Sequence, residues 1–274
     1  MIFRENYNHA RDLELVDEAL NGSKHALSAL IKNNQDYIFN IALKLFLQPE
    51  DAMDATQEVL IKVITNLKSF RKESQFRTWL YRITVNHFLS IKNKKIETIM
   101  SNTPQELKES HAIEPEEKSL LDENLVEEVR LLCSTAMLMC LEREQRLIYI
   151  IGEIFGADHK LGAELFDTTP GNYRIKLHRA KAQLLNFVSN KCGLINPINS
   201  CRCPKKTRQF VKAGIVDKEN IQFNKEYSQK INQLVDERKD EVNDVIQLKL
   251  KDFFQDSPFQ IKTELDKMLS ELIA

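Results

Sequence analysis

Three stretches of this chain return an apolar residue every three or four positions, a repeat that suits helices and little else. Leu27, Leu30, Ile31, Ile38, Ile41, Ala42, Leu45 and Phe46 form the first stripe. Ala52, Thr56, Val59, Leu60, Val63, Ile64 and Leu67 form the second, and Leu131, Leu132, Met137, Leu138, Leu141, Leu147, Ile148 and Ile151 the third. Seven glycines and seven prolines in 274 residues leave few places where a helix must stop. The expected fold class is all-α. A hydrophobic share of 42% is enough for cores and too much for a chain disordered throughout.

The stops that do occur are informative. Gly22 and Ser23 read as the end of one helix and the start of the next, and Pro49 ends or begins a helix. A short helix over 159–166, with Leu161, Leu165 and Phe166 inward, meets Asp167-Thr168-Thr169-Pro170. Thr169 suits a helix cap and Pro170 the first helical position. The helix that follows runs through Tyr173, Ile175, Leu177, Ala180, Leu184 and Leu185 to about Asn190. Two helices across so short a turn make either a plain helical hairpin or a helix-turn-helix.

Charge separates these two. The formal net charge is −1, but it is unevenly spread. No acid occurs between Thr168 and Arg208, where Arg174, Lys176, Arg179, Lys181, Lys191, Arg202, Lys205, Lys206 and Arg208 stand. A second basic block holds Arg71, Lys72, Arg77, Arg82, Lys92, Lys94 and Lys95 against Glu73 alone. Residues 97–128 are acidic, with only Lys108 and Lys118 as counter-charges. Basic blocks in a near-neutral chain point to a polyanionic partner, and a basic second helix favours the DNA-binding motif.

Two further faces carry chemistry. Asp51, Asp54 and Glu58, joined by Gln57 and Lys62, share a polar face on the helix over 50–68. Such a face is ordinarily solvated surface, and early acids also suit the helix dipole. Residues 76–95 read as a helix in which bases alternate with rings. Phe76, Leu80, Ile83 and Ile91 are its candidate core side, whereas Arg77, Tyr81, Phe88 and Lys92 fall on another. Cations for phosphates and rings for unstacked bases are what a single nucleic-acid strand requires.

Enzymatic signatures are missing: there is no Gly-rich phosphate loop, HExxH, paired-carboxylate metal site or nucleophile triad pattern. Met1–Asn21 lacks the apolar core of a signal peptide, and no apolar run approaches membrane-spanning length. Five cysteines, an odd number, fit reduced thiols in the cytoplasm. Cys192, Cys201 and Cys203 lie in an irregular basic stretch over 191–208. They are candidate zinc ligands, with His178 or a distant group needed as the fourth; redox sensing and plain reduced thiols are the alternatives. Cys133 and Cys140 sit among leucines and read as core.

The order of segments adds a resemblance. Asp51-Ala52-Met53-Asp54-Ala55-Thr56-Gln57-Glu58-Val59, then Ser69-Phe70-Arg71 and Phe76-Arg77-Thr78-Trp79-Leu80-Tyr81-Arg82-Ile83, resembles the second conserved region of sigma-70-type transcription initiation factors. The compact extracytoplasmic-function (ECF) group is the one it is most similar to. Gln145-Arg146, Gly156–Glu164 and Gly171–Lys181 resemble the fourth region of that family. The departures are Asp167 at a turn position usually held by glycine, and His159-Lys160-Leu161-Gly162-Ala163-Glu164 in the first helix. Aspartate tolerates the left-handed backbone needed there.

The resemblance implies a dissociable subunit of RNA polymerase. Its domains would be a region 2 bundle over 12–95, an acidic linker over 96–128, region 4 over 129–190, and a Cys-containing loop with helical extension over 191–274. Asp51, Asp54, Gln57, Glu58 and Lys62 would dock on the β′ clamp helices of the polymerase core, and region 4 on the β flap. Arg77, Trp79, Tyr81, Arg82, Asn86, Lys92, Lys94 and Lys95 would recognise and open the −10 promoter element. Thr168, Thr169, Gly171, Asn172, Arg174, Lys176, His178, Arg179 and Lys181 would meet the −35 element in the major groove. An anti-sigma factor is a further implied partner.

Overall fold

A computed structural model describes residues 8–46, 49–92, 123–193, 195–212, 214 and 216. Lys94, Lys95, most of the acidic stretch and the expected helices beyond 216 lie outside these residues. The described elements are α1 (His9–Leu20), α2 (Lys24–Phe46), α3 (Pro49–Asn66), α4 (Phe76–Ser90), α5 (Glu123–Ala136), α6 (Arg143–Tyr149), α7 (His159–Leu165), α8 (Pro170–Lys191) and α9 (Cys203–Lys212). There is no strand among the described residues. The chain is all-helical, as its periodicity requires.

Local chemistry sets the helix ends. The Asn8 side chain accepts from the Arg11 amide at 3.1 Å to cap α1. Gly22 then turns the chain at φ 95, and Ser23 Oγ accepts from the Ala26 amide at 3.2 Å to start α2. Two ends differ from the sequence expectation. The helix over 76–95 stops at Ser90, with Ile91 extended. The helix expected over 130–151 begins earlier, at Glu123, so residues 123–128 are helix rather than linker. It also breaks at Leu141, where Glu142 and Gln145 form a reciprocal capping box that starts α6. A π turn, Ile150–Ile154, continues α6.

The described residues fall into two compact units, one with residues 8–92 and 142–180, the other with 123–141 and 181–216. In the first, α2 is the centre. It is buried on nearly every side, from Ile41 through Phe46 without interruption. Helices α1, α3, α4 and α6 pack on it. Helix α6 also closes the open end of α4: the Arg143 guanidinium donates to the carbonyls of Phe88 (3.4 Å), Ile91 and Lys92 (3.3 Å). These are carbonyls that a terminating helix leaves without internal donors. The same guanidinium lies 5.9 Å over the Phe46 ring.

A lysine sits inside this core. Lys44 is 6% exposed, and burial pushes its ammonium down to about 7. The unfolded chain keeps that proton to about pH 10.4. Between the two values the unfolded state binds more protons, so stability rises with pH across that window. The cost of the buried charge is complete below it. Lys44→Met is therefore expected to raise the melting temperature at pH 7 and to flatten its dependence between about pH 7 and 9. Melting curves that remain as pH-dependent as the parent's would contradict this.

Candidate functional site

Helix α3 presents its polar face outward. Proline at its first position and Glu50 and Asp51 in its first turn suit a helix start. Asp54, Gln57, Glu58 and Lys62 are exposed and Asp51 is half-buried, while Ala52, Ala55, Val59, Leu60 and Val63 face the core. Two members of the exposed face also reach α4, a link not visible in the sequence. Buried His87 lies between Glu58 and Lys62, with Nδ1 2.7 Å from Lys62 Nζ and Nε2 3.1 Å from Glu58 Oε2. An ammonium only donates, so Nδ1 is the acceptor and a neutral ring carries its proton on Nε2, toward the carboxylate.

Helix α4 brings together part of the expected single-strand surface. Arg82, Asn86 and Lys92 are exposed, and Trp79 is half-buried. The indole packs on Phe70 at 5.4 Å and Phe76 at 5.7 Å, which fixes its position beside Arg82. Arg77 is held inward: its Nε donates to Asn34 Oδ1 at 3.2 Å and its guanidinium lies 4.7 Å over the Tyr37 ring. Tyr81 and Phe88 correct the sequence reading. They are 1% and 0% exposed, and Phe88 meets Phe46 edge-on at 5.5 Å. Helix α4 is buried on more than one side, so neither ring meets solvent in this conformation.

The helix-turn-helix forms from α7, its turn and α8. The Asp158 carboxylate caps α7 by accepting from the Lys160 and Leu161 amides at 2.9 and 2.8 Å. Asp167 takes the left-handed backbone, φ 50, that the turn demands. Thr169 Oγ1 accepts from the Asn172 amide at 3.2 Å, capping α8 ahead of Pro170. Tyr173, Leu177, Ala180, Leu184 and Val188 form the buried stripe of α8. Gly171, Asn172, Arg174, His178 and Arg179 are exposed with Thr169, and Ile175 is 51% exposed among them. Thr168, Lys176 and Lys181 are half-buried, and Lys176 is paired with Glu144 at 2.5 Å.

Tyr173 explains the unusual glycine of α7. The ring is fully buried, 5.8 Å from Phe166, with its hydroxyl 3.4 Å from the Ile148 carbonyl. A Cβ on Gly162 would meet the ring at 2.2 Å, and one on Gly152 its hydroxyl at 2.8 Å. Burial raises the phenol above its ordinary range, with Glu153 and Asp158 adding to the effect. The exposed base-reading candidates of α8 thus stand on a rigid support.

All five cysteines are half-buried and outside disulfides. Among the described residues, no three His, Cys, Asp or Glu side chains stand in the geometry of a metal site. No helix among them is long and apolar enough to cross a membrane.

Among the described residues the elements define a helical protein with an outward polar face on α3, a ring-and-cation helix and a helix-turn-helix. The Sigma-70 region 2 family model matches residues 30–95, the span of α2 to the end of α4 and just beyond. The RNA polymerase sigma-H factor of Pseudomonas aeruginosa is 36% identical over 76 residues, which cover 28% of this chain and 39% of that protein. The ECF RNA polymerase sigma factor SigE of Mycolicibacterium smegmatis is 26% identical over 162 residues, 58% of this chain and 60% of that one. The ECF RNA polymerase sigma-E factor of Haemophilus influenzae is 26% identical over 185 residues, 65% of this chain and 95% of that one. This chain therefore spans 39% and 60% of the first two relatives, each less than two thirds, and 95% of the third. Residues 30–95 thus carry a match to Sigma-70 region 2, and the chain is similar to ECF RNA polymerase sigma factors.

Proposed function

We propose that this chain binds RNA polymerase core in the cytoplasm and directs promoter recognition and DNA opening, without catalysing a reaction itself. The observation that carries this is the joint presence of the exposed α3 face and the exposed N-terminal half of α8. A repressor needs only the second. Asp51, Asp54, Gln57, Glu58 and Lys62 would meet the β′ clamp helices, and the helix-turn-helix region the β flap. Trp79, Arg82, Asn86 and Lys92 would hold the −10 strand, with Arg77 acting through Asn34 and Tyr37 to shape that surface, and Lys94 and Lys95 extending it. Tyr81 would support from within the core. Gly171, Asn172, Arg174, His178 and Arg179 would approach the −35 element, flanked by Thr168, Thr169, Lys176 and Lys181. An anti-sigma factor would compete for these surfaces.

Pull-down of core polymerase by the full chain tests the docking half: retention supports it and failure defeats it. For the DNA half, Arg174→Ala is expected to weaken promoter binding by the holoenzyme and to lower the slope of log affinity against log salt by about 1. An unchanged slope would remove Arg174 from the interface.

A further inference from the structure

Helix α8 carries an apolar side chain that the packing of the fold does not use. Ile175 is 51% exposed, whereas the other large apolar side chains left open on the described helices lie between 38% and 43%. It stands two positions from both Tyr173 and Leu177, which are buried. Each residue turns an α-helix by about 100°, so two positions place Ile175 opposite the buried stripe.

The ground around it is open. Gly171 and Asn172 one turn before, and His178 and Arg179 one turn after, are all exposed. A helical side chain leans over the turn that precedes it. Ile175 therefore leans toward Gly171, which has no side chain to screen it, and the space about a Cβ there is empty to 4 Å. The turn itself is firmly set. Thr169 Oγ1 accepts from the Asn172 amide at 3.2 Å, and buried Tyr173 holds the helix from beneath.

A lone surface isoleucine is ordinary. This one is central in a face with Arg174, His178 and Arg179, and no acid occurs between Thr168 and Arg208. Such a face draws a polyanion. In the major groove the base edges are donors and acceptors, except that thymine adds an apolar C5-methyl. The early turns of a recognition helix are the part that reaches those edges. Isoleucine suits a methyl contact. Its β-branch leaves one strongly preferred χ1 rotamer in a helix, so little side-chain entropy is lost on docking.

We propose that Ile175 is a specificity-determining residue of the −35 contact, its methyl groups packing on the C5-methyl of one thymine. The inference rests on the reading of α8 as the DNA-recognition helix and deepens it. The centre of the exposed face reads an A·T pair by an apolar contact, while the surrounding cations hold phosphates and polar edges. Uracil keeps every polar edge atom of thymine and lacks only the methyl, so it isolates this contact.

Holoenzyme is assembled from the full chain and core polymerase, and its affinity is measured for a promoter that it selects. Each thymine of the −35 segment, on either strand, is replaced in turn by deoxyuridine. At one position the loss of a single methyl is expected to weaken parent binding about 3- to 5-fold. In Ile175→Ala the same exchange is expected to change nothing, so thymine and uracil duplexes bind alike. The ratio is taken within each protein, which cancels any effect of the variant on folding or on core binding. A uracil effect at no position, or one that persists undiminished in Ile175→Ala, would overturn the assignment. So would a selected −35 segment without thymine. Holoenzyme that binds no promoter defeats the reading of α8 and this inference with it; promoter binding indifferent to uracil defeats the role of Ile175 alone.

Discussion

Tyr173→Ala is expected to cost about 3–5 kcal/mol, the largest stability loss of any substitution considered. The ring is the centre of the small cluster with Ile148, Ala163, Leu177 and Phe166. Truncation leaves a cavity between Gly152 and Gly162, two positions with no side chain to fill it. Gly162→Val tests the same packing from the other side by forcing a branched side chain into the ring. Gly171→Ala is the control: nothing lies within 4 Å of its Cβ, and alanine in a helix gains about 0.5–1 kcal/mol over glycine. Denaturant titration followed at the helix-turn-helix should give two large losses and one small gain. A Tyr173→Ala chain as stable as the parent would contradict the account of α7 and α8.

The second large effect is on partner binding. Asp54→Lys places a cation in the exposed α3 face, one turn before Glu58 of the Glu58–His87–Lys62 chain that joins α3 to α4. Against a basic partner helix, that reversal is expected to weaken core binding about 10- to 100-fold, roughly 1.4–2.8 kcal/mol. Stability should change little, because the side chain is exposed and lies beyond the first turn of α3. Titration of labelled core with parent and variant measures this. Equal affinities would remove Asp54 from the docking face. Glu58→Lys is less clean, since it also disturbs His87.

What the sequence made legible was local. The stop at Gly22, the cap at Ser23, the left-handed Asp167 and the Thr169-Pro170 start of α8 each depend on residues within a turn. The polar α3 face was legible because that helix is buried on one side only. Helix α4 was not, because a helix surrounded on several sides has no single apolar stripe, and Tyr81 and Phe88 were read as outward. Lys44 was hidden in the same way within a continuously buried run. The Glu142–Gln145 capping box that divides α5 from α6 is a local spacing of the same kind as the other caps. The His87 clamp, the Arg143 closure of α4 and the packing of α5 on α9 are contacts distant in sequence. No periodicity carries them.

The glycines of α7 and the π turn have a physical reason in this chain. Gly162 leaves the space that the Tyr173 ring occupies. A small residue facing a large one keeps the volume between α7 and α8 filled, as packed interiors require.

The most direct measurement is run-off transcription by purified core RNA polymerase with and without this chain, on DNA selected by the reconstituted holoenzyme. Transcripts with a single defined start, absent without the chain and lost together in Asp54→Lys and Arg174→Ala, are the expected result. A chain that binds DNA yet neither joins core nor starts transcription would contradict the central claim.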